Sequence, residues 1–177
     1  MCLSPSGNFQ GYGQSNLQEI LGGHNAWRAN VSSWAPAPRT PLVNLQWDND
    51  LAKTAARWAA QCRMGHDDGS ARALPNRGAN GPAWSWVGQN ICYSWGYSMS
   101  WTECINSWAS ERKDWQYGIG QVGSGAVGHL TQMIWEDTKY IGCGRAQCTG
   151  STEHVLVCNY GPGGNFGSNP YARPYVA

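Results

Sequence analysis

Cys143 and Cys158 lie equally far from the dipeptide formed by Gly150 and Ser151, one on each side. Lys139 to Cys143 reads as a buried strand, Val155 to Cys158 as a second, and the residues between carry turn chemistry. An antiparallel hairpin centred on that dipeptide puts the two cysteines directly opposite each other. Their Cα atoms then stand about 4.5 to 5.5 Å apart, within disulfide reach. The register of the closing hairpin is thereby set, and the preceding chain must feed into it. Gly128 to Ile134 reads as a short helix in which His129, Gln132 and Met133 share one face and Leu130 and Ile134 the neighbouring one, so His129 can face a cleft. Asp137 and Thr138 break the helix before the strand begins.

Upstream, Ser15 is placed to cap a first helix carrying Leu17, Ile20, Leu21, His24, Trp27 and Arg28 at helical spacing. Gly22 and Gly23 weaken it by about 1 kcal/mol each relative to alanine, so it depends on tertiary packing. Ala35 to Pro41 reads as a rigid surface connection. Asp48 or Asn49 can cap a second helix with Leu51, Ala55, Trp58 and Cys62 as its buried stripe. Asp67 to Pro82 is expected to be a long exposed loop. Thr102 is the expected cap of a third helix that brings Ile105, Trp108 and Ala109 to the core and Glu111 near its end, and Gly118 to Gly128 reads as loop.

The chain has 177 residues, enough for one domain that buries roughly 70% of its unfolded-chain surface. A formal charge of +1 without a dense Lys/Arg cluster excludes the footprint of a nucleic-acid binder. No apolar run approaches the ~20 residues that a membrane-spanning helix needs. Seven cysteines without paired CxxC spacing imply disulfides and an oxidising compartment. The start, MCLSPSGNFQ, has neither a basic n-region nor an apolar h-region, which suggests a mature segment with an added or processed beginning.

Four ordered motifs, HNAWR (His24 to Arg28), GQNI (Gly88 to Ile91), GHLTQMIWEDT (from Gly128) and VLVCNYGPGGNF (Val155 to Phe166), resemble those of the CAP superfamily. That superfamily joins cysteine-rich secretory proteins, antigen five and plant pathogenesis-related proteins. Leu130 stands where the family usually has an aromatic residue. The resemblance implies an α+β fold, a three-layer α-β-α sandwich with a central antiparallel sheet stapled by disulfides, and a secreted, extracellular protein. It divides the chain into an arm (1–14, where Phe9 and Tyr12 could dock), one domain (15–170) and a tail (171–177), with no cysteine-rich extension after Tyr175. It pairs Cys62 with Cys148 and makes His24 structural. Cys92 and Cys104 remain as a local pair for which Cys2 can compete.

The family's cleft residues correspond to His66, Glu111, His129 and Gln89, where Gln89 replaces a second glutamate. Glutamine supplies hydrogen bonds but neither charge nor a general base. His66 and His129 could hold Zn²⁺ or another divalent cation through neutral nitrogens, with modest, pH-dependent affinity because only two strong ligands are evident. Glu111 could instead fix a histidine tautomer. No cofactor is obligatory. The aromatics Trp84, Trp86, Tyr93, Trp95, Tyr97 and Trp101 read as packing or as a groove for a lipid or a protein partner. Some family members bind sterols and others fatty acids, although the sterol-type aromatic spacing is not matched here. The expected function is non-catalytic extracellular binding. The competing reading is a metal-dependent hydrolase in which Glu111 is the base for water held between His66 and His129. Ser107 and Ser110 make poor nucleophiles, since neighbouring helical residues point in different directions.

Overall fold

A computed structural model of the chain describes residues 14–78 and 81–177. Cys2, Phe9 and Tyr12 therefore lie outside the described residues, as does nearly all of the arm. The helices are α1 (Gln14–Asn30), α2 (Asn49–Ala59), α3 (Gly69–Arg72), α4 (Trp101–Ala109) and α5 (Gly128–Met133). The strands are β1 (Gln46–Trp47), β2 (Gly88–Trp95), β3 (Trp115–Gln116), β4 (Gly120–Gln121), β5 (Tyr140–Gln147) and β6 (Glu153–Gly161). Four of them form one sheet in the order β1-β5-β6-β2. It is antiparallel except at β1, a two-residue edge strand parallel to β5.

The sheet is a middle layer because its side chains alternate. On β6, Leu156, Cys158 and Tyr160 join the large core that contains Ile20 of α1 and Ile105 of α4. Val155 and Val157 join Ala55 and Ala59 of α2 on the other side. Helix α2 lies close on β5 because Gly142 and Gly144 offer no side chain. A Cβ at Gly142 would run into the backbone of Asp48, Leu51 and Ala52, and one at Gly144 into Ala56. Asp48 is the cap of α2, its Oδ1 accepting from Asp50 N and Leu51 N at 3.0 Å each.

The hairpin has the register its cysteines require. Cys143 pairs with Cys158 and Gln147 with His154, which centres the turn between Gly150 and Ser151. The Cys143–Cys158 bridge spans 4.1 Å between Cα atoms. Cys62–Cys148 and Cys92–Cys104 are the other two bridges.

Several local expectations are corrected. Helix α1 already includes Gln14, so Ser15 lies inside its first turn and is not its cap. Ser100 caps α4 and exchanges bonds with Glu103, so Thr102 is internal. The stretch Asp67 to Pro82 is not simply an exposed loop: it holds α3, and its Arg72 and Arg77 are buried against Asp67 and Asp48 at 2.7 and 2.6 Å. In α5 both Gln132 and Met133 are buried, and Gln132 Nε2 donates to Thr138 Oγ1 while its Oε1 accepts from Gly164 N. The tail packs against the domain, with Tyr175 buried and its hydroxyl donating to Pro36 O. Among the described residues no helix is long and apolar enough to cross a membrane.

His24 is fully buried, its Nδ1 against Ile20 O at 2.7 Å and its Nε2 against the Tyr160 hydroxyl at 2.9 Å. Burial pulls its pKa down to about 4 from 6.5. Between those values the unfolded chain holds a proton that the folded chain refuses. Stability due to this group is thus complete above the unfolded value and is lost as pH falls toward the folded one, by about 3 kcal/mol. Urea unfolding across that window should show the wild type losing about this much more than His24→Gln, which does not titrate there. Parallel losses in the two proteins would rule out His24 as the source.

Candidate functional site

His66 extends from the loop after α2, and Gln89 is the second residue of β2. The His66 Nδ1 stands 2.8 Å from Gln89 Oε1. Gln89 pairs directly across the sheet with Asn159 of β6 and donates to its Oδ1 at 3.1 Å. Asn159 in turn donates to Thr54 Oγ1 of α2 at 2.9 Å.

His129 is the second residue of α5, and Glu111 lies in a 3-10 turn, Ser110–Asp114, that continues α4. The His129 Nδ1 lies 2.6 Å from Glu111 Oε1, and the Leu130 amide donates to Glu111 Oε2 at 2.9 Å. The His129 ring also stacks on Trp108 at 6.1 Å with 12° between planes. Glu111 is only 11% exposed against 31% for His129, so the carboxylate stands behind the ring.

His66, Gln89 and His129 line one cavity of about 330 Å³, together with Asn90, Asn165 and Tyr171. Each imidazole has its Nδ1 occupied by a protein acceptor. Among the described residues neither Nε2 has a hydrogen bond. No group of three or more His, Cys, Asp or Glu side chains among them is arranged to hold a metal ion. The donor set offered to a cation is therefore two imidazole nitrogens, which suits an open site completed by water and not a closed structural one. Glu111 has both oxygens engaged, one orienting His129 and the other fixing the Leu130 amide, the posture of an orienting carboxylate.

The six aromatics do not make one groove. Trp101 is wholly buried in the core shared with α1 and α4 and cannot meet a ligand. Trp84 lies on the α2 side, against Arg77 at 4.6 Å and Tyr140 at 5.5 Å. Trp86 is exposed and donates to Gly164 O. Tyr93 and Trp95 stack at 6.1 Å, and Trp95 and Tyr97 are exposed. Strand alternation and a helix start divide residues that are neighbours in sequence.

Thr54 lies outside every motif, and Asn159 lies within VLVCNYGPGGNF without being marked there as a cleft residue. The available signal was Asn159 itself, a polar residue in the apolar run VLVCNYG.

A family model described as "CAP: Cysteine-rich secretory protein family" matches residues 21–160. The chain belongs to the CAP family. Venom allergen 5 of Vespa velutina is 38% identical over 167 residues, covering 86% of this chain and 77% of that protein. GLIPR1-like protein 1 of Homo sapiens is 32% identical over 163 residues, covering 90% of this chain and 62% of that protein. Among solved structures, Schistosoma mansoni venom allergen-like protein 4 superposes with a TM-score of 0.72 at 24% identity, covering 94% of this chain and 96% of that one. A crystal structure of NaASP2 with Zn²⁺ gives a TM-score of 0.71 at 25% identity, covering 94% and 90%. The CAP fold places His66, Gln89 and His129 around the cavity described above.

Proposed function

We propose that this CAP protein is secreted and works as a non-catalytic extracellular binding protein whose cleft takes a divalent cation such as Zn²⁺ on His66 and His129. The observation that carries the reading is the pair of imidazoles lining one cavity, each with Nδ1 held from the protein side. Zinc on a similar fold, in NaASP2, supports the choice of ion. A hydrolase would need a base free to take a proton from water. Gln89 cannot serve, and Glu111 is committed to His129 and Leu130. Recognition of a lipid or a protein partner falls to exposed Met64, Trp95 and Tyr97.

The test is calorimetric titration of metal-stripped protein with Zn²⁺ at neutral pH. One site is expected, weakened at least about tenfold in both His66→Ala and His129→Ala. Trp95→Ala should keep that site and lose binding to phospholipid vesicles or to the partner. Absence of zinc binding, or binding untouched by both histidine variants, would overturn the cation reading.

A further inference from the structure

The two arms of the cleft hold their histidines by different means. Glu111 is a carboxylate and can only accept, so the proton between it and His129 belongs to Nδ1 without help from elsewhere. Gln89 is an amide, with a donor at one end and an acceptor at the other. Turned one way it accepts from a His66 Nδ1–H. Turned the other way it donates to a bare Nδ1 and leaves the proton on Nε2, where it would block a cation. Something beyond Gln89 must decide.

We infer that Thr54 and Asn159 are positioning residues that polarise the Gln89 amide and thereby set the tautomer of His66. The chain of bonds has a fixed end. Thr54 Oγ1 lies 2.9 Å from Leu51 O and 3.3 Å from Asp50 O, backbone carbonyls of its own helical turn that accept only. A helical threonine habitually donates its hydroxyl proton there. Oγ1 then has only lone pairs to offer Asn159, so Asn159 presents Nδ2 at 2.9 Å. Its Oδ1 consequently faces β2 and receives Gln89 Nε2 at 3.1 Å. Gln89 is left with Oε1 toward His66, at 2.8 Å, and His66 supplies the Nδ1 proton. Its Nε2 keeps a lone pair.

Burial holds the chain in this sense. Thr54 is 8% exposed, Asn159 0% and Gln89 8%. Water is a poor substitute partner there, and a flip of one amide alone would set donor against donor or acceptor against acceptor, leaving buried groups unpaired. Reversal demands that Asn159 and Gln89 both turn and that the Thr54 proton leave its carbonyl. A glutamate in place of Gln89 would need none of this. The relay accordingly compensates for the amide that this chain carries.

The inference draws its purpose from the proposed cation cleft, but it is tested on metal-free protein, so failure of zinc to bind leaves it standing. Long-range ¹H–¹⁵N correlation of ¹⁵N-histidine-labelled protein, above the imidazole titration range, reads the tautomer directly. Wild-type His66 should show Nδ1 as the protonated, pyrrole-type nitrogen and Nε2 as the bare, pyridine-type one. Thr54→Val, nearly isosteric, should shift both signals toward the mixed tautomers of a free histidine, while His129 stays as it is. Adding Gln89→Glu to Thr54→Val should restore the Nδ1–H form, which a merely structural role for Thr54 would not do. Backbone amide spectra confirm that each variant is folded. Wild-type His66 protonated on Nε2, an unchanged tautomer in Thr54→Val, or no rescue by Gln89→Glu would each overturn the inference.

Discussion

Arg28→Ala should cost the fold about 4 kcal/mol or more, because it combines a large cavity with several orphaned buried acceptors. Arg28 is fully buried in α1. Its Nε donates to Val43 O at 2.7 Å, its Nη1 to Met133 O and Trp135 O at 3.0 and 2.8 Å, and its Nη2 to Thr138 O at 3.2 Å. Three of those carbonyls belong to the end of α5 and the turn that follows, so one guanidinium caps the helix that carries His129. Burial lowers its pKa to about 10, with Glu136 opposing the shift, and the group stays charged under all ordinary conditions. Lysine has the charge but not the planar fork. Arg28→Lys should therefore recover only part of the loss and leave α5 loosely held. Urea unfolding of both variants checks this, with the His129 amide and ring signals reporting on α5. Arg28→Ala within about 1 kcal/mol of wild type would mean that water fills the site and serves the carbonyls.

Much of this was legible where chemistry is local or symmetric. Cys143 and Cys158 announced their register because equal distances from a turn need no tertiary knowledge. Asp48 is legible as a cap, and Ser100 with Glu103 carries the capping-box pattern, although Thr102 beside it offers a competing cap. What escaped depends on distant partners. Arg72 and Arg77 look solvated in a Gly- and Pro-rich stretch, and are buried because Asp67, Asp48 and the Val87 carbonyl wait for them. A helix as short as α3 has too little periodicity to leave a mark in sequence. Trp84 and Trp101 look like parts of one aromatic stretch but fall on opposite faces of the sheet. In the cleft, the motifs hold Gln89 and His129, and correspondence with the family's cleft residues adds His66 and Glu111. Asn159 stands out in sequence as a polar residue in an apolar run, but its tie to Gln89, and Thr54 behind it, depend on the β2–β6 register, which sets Asn159 across from Gln89.

Loss of the Cys62–Cys148 bridge should be the costliest of the three disulfide deletions. It closes a sequence separation of 86, against 15 for Cys143–Cys158 and 12 for Cys92–Cys104. On the chain-entropy account that difference corresponds to about 4 to 5 kcal/mol for the long loop and about 3 for the short ones. The bridge has a second role. Cys62 has a φ of +52°, in the left-handed region that disfavours side chains, and it begins the segment that ends at His66. With Cys148 tied to the end of β5, that backbone is held against its preference. A Cys62→Ser/Cys148→Ser protein should therefore unfold at lower urea by an amount matching about 4 to 5 kcal/mol, and its His66 should lose contact with Gln89 while His129 keeps Glu111. The two histidine tautomers, read separately, distinguish this from general loosening: only the His66 signals should change. If deletion of Cys92–Cys104 cost more, native packing around that bridge would outweigh loop entropy. If His66 stayed ordered, the ties from Trp58 Nε1 and the Tyr93 hydroxyl to Gly65 would be sufficient to hold the segment by themselves.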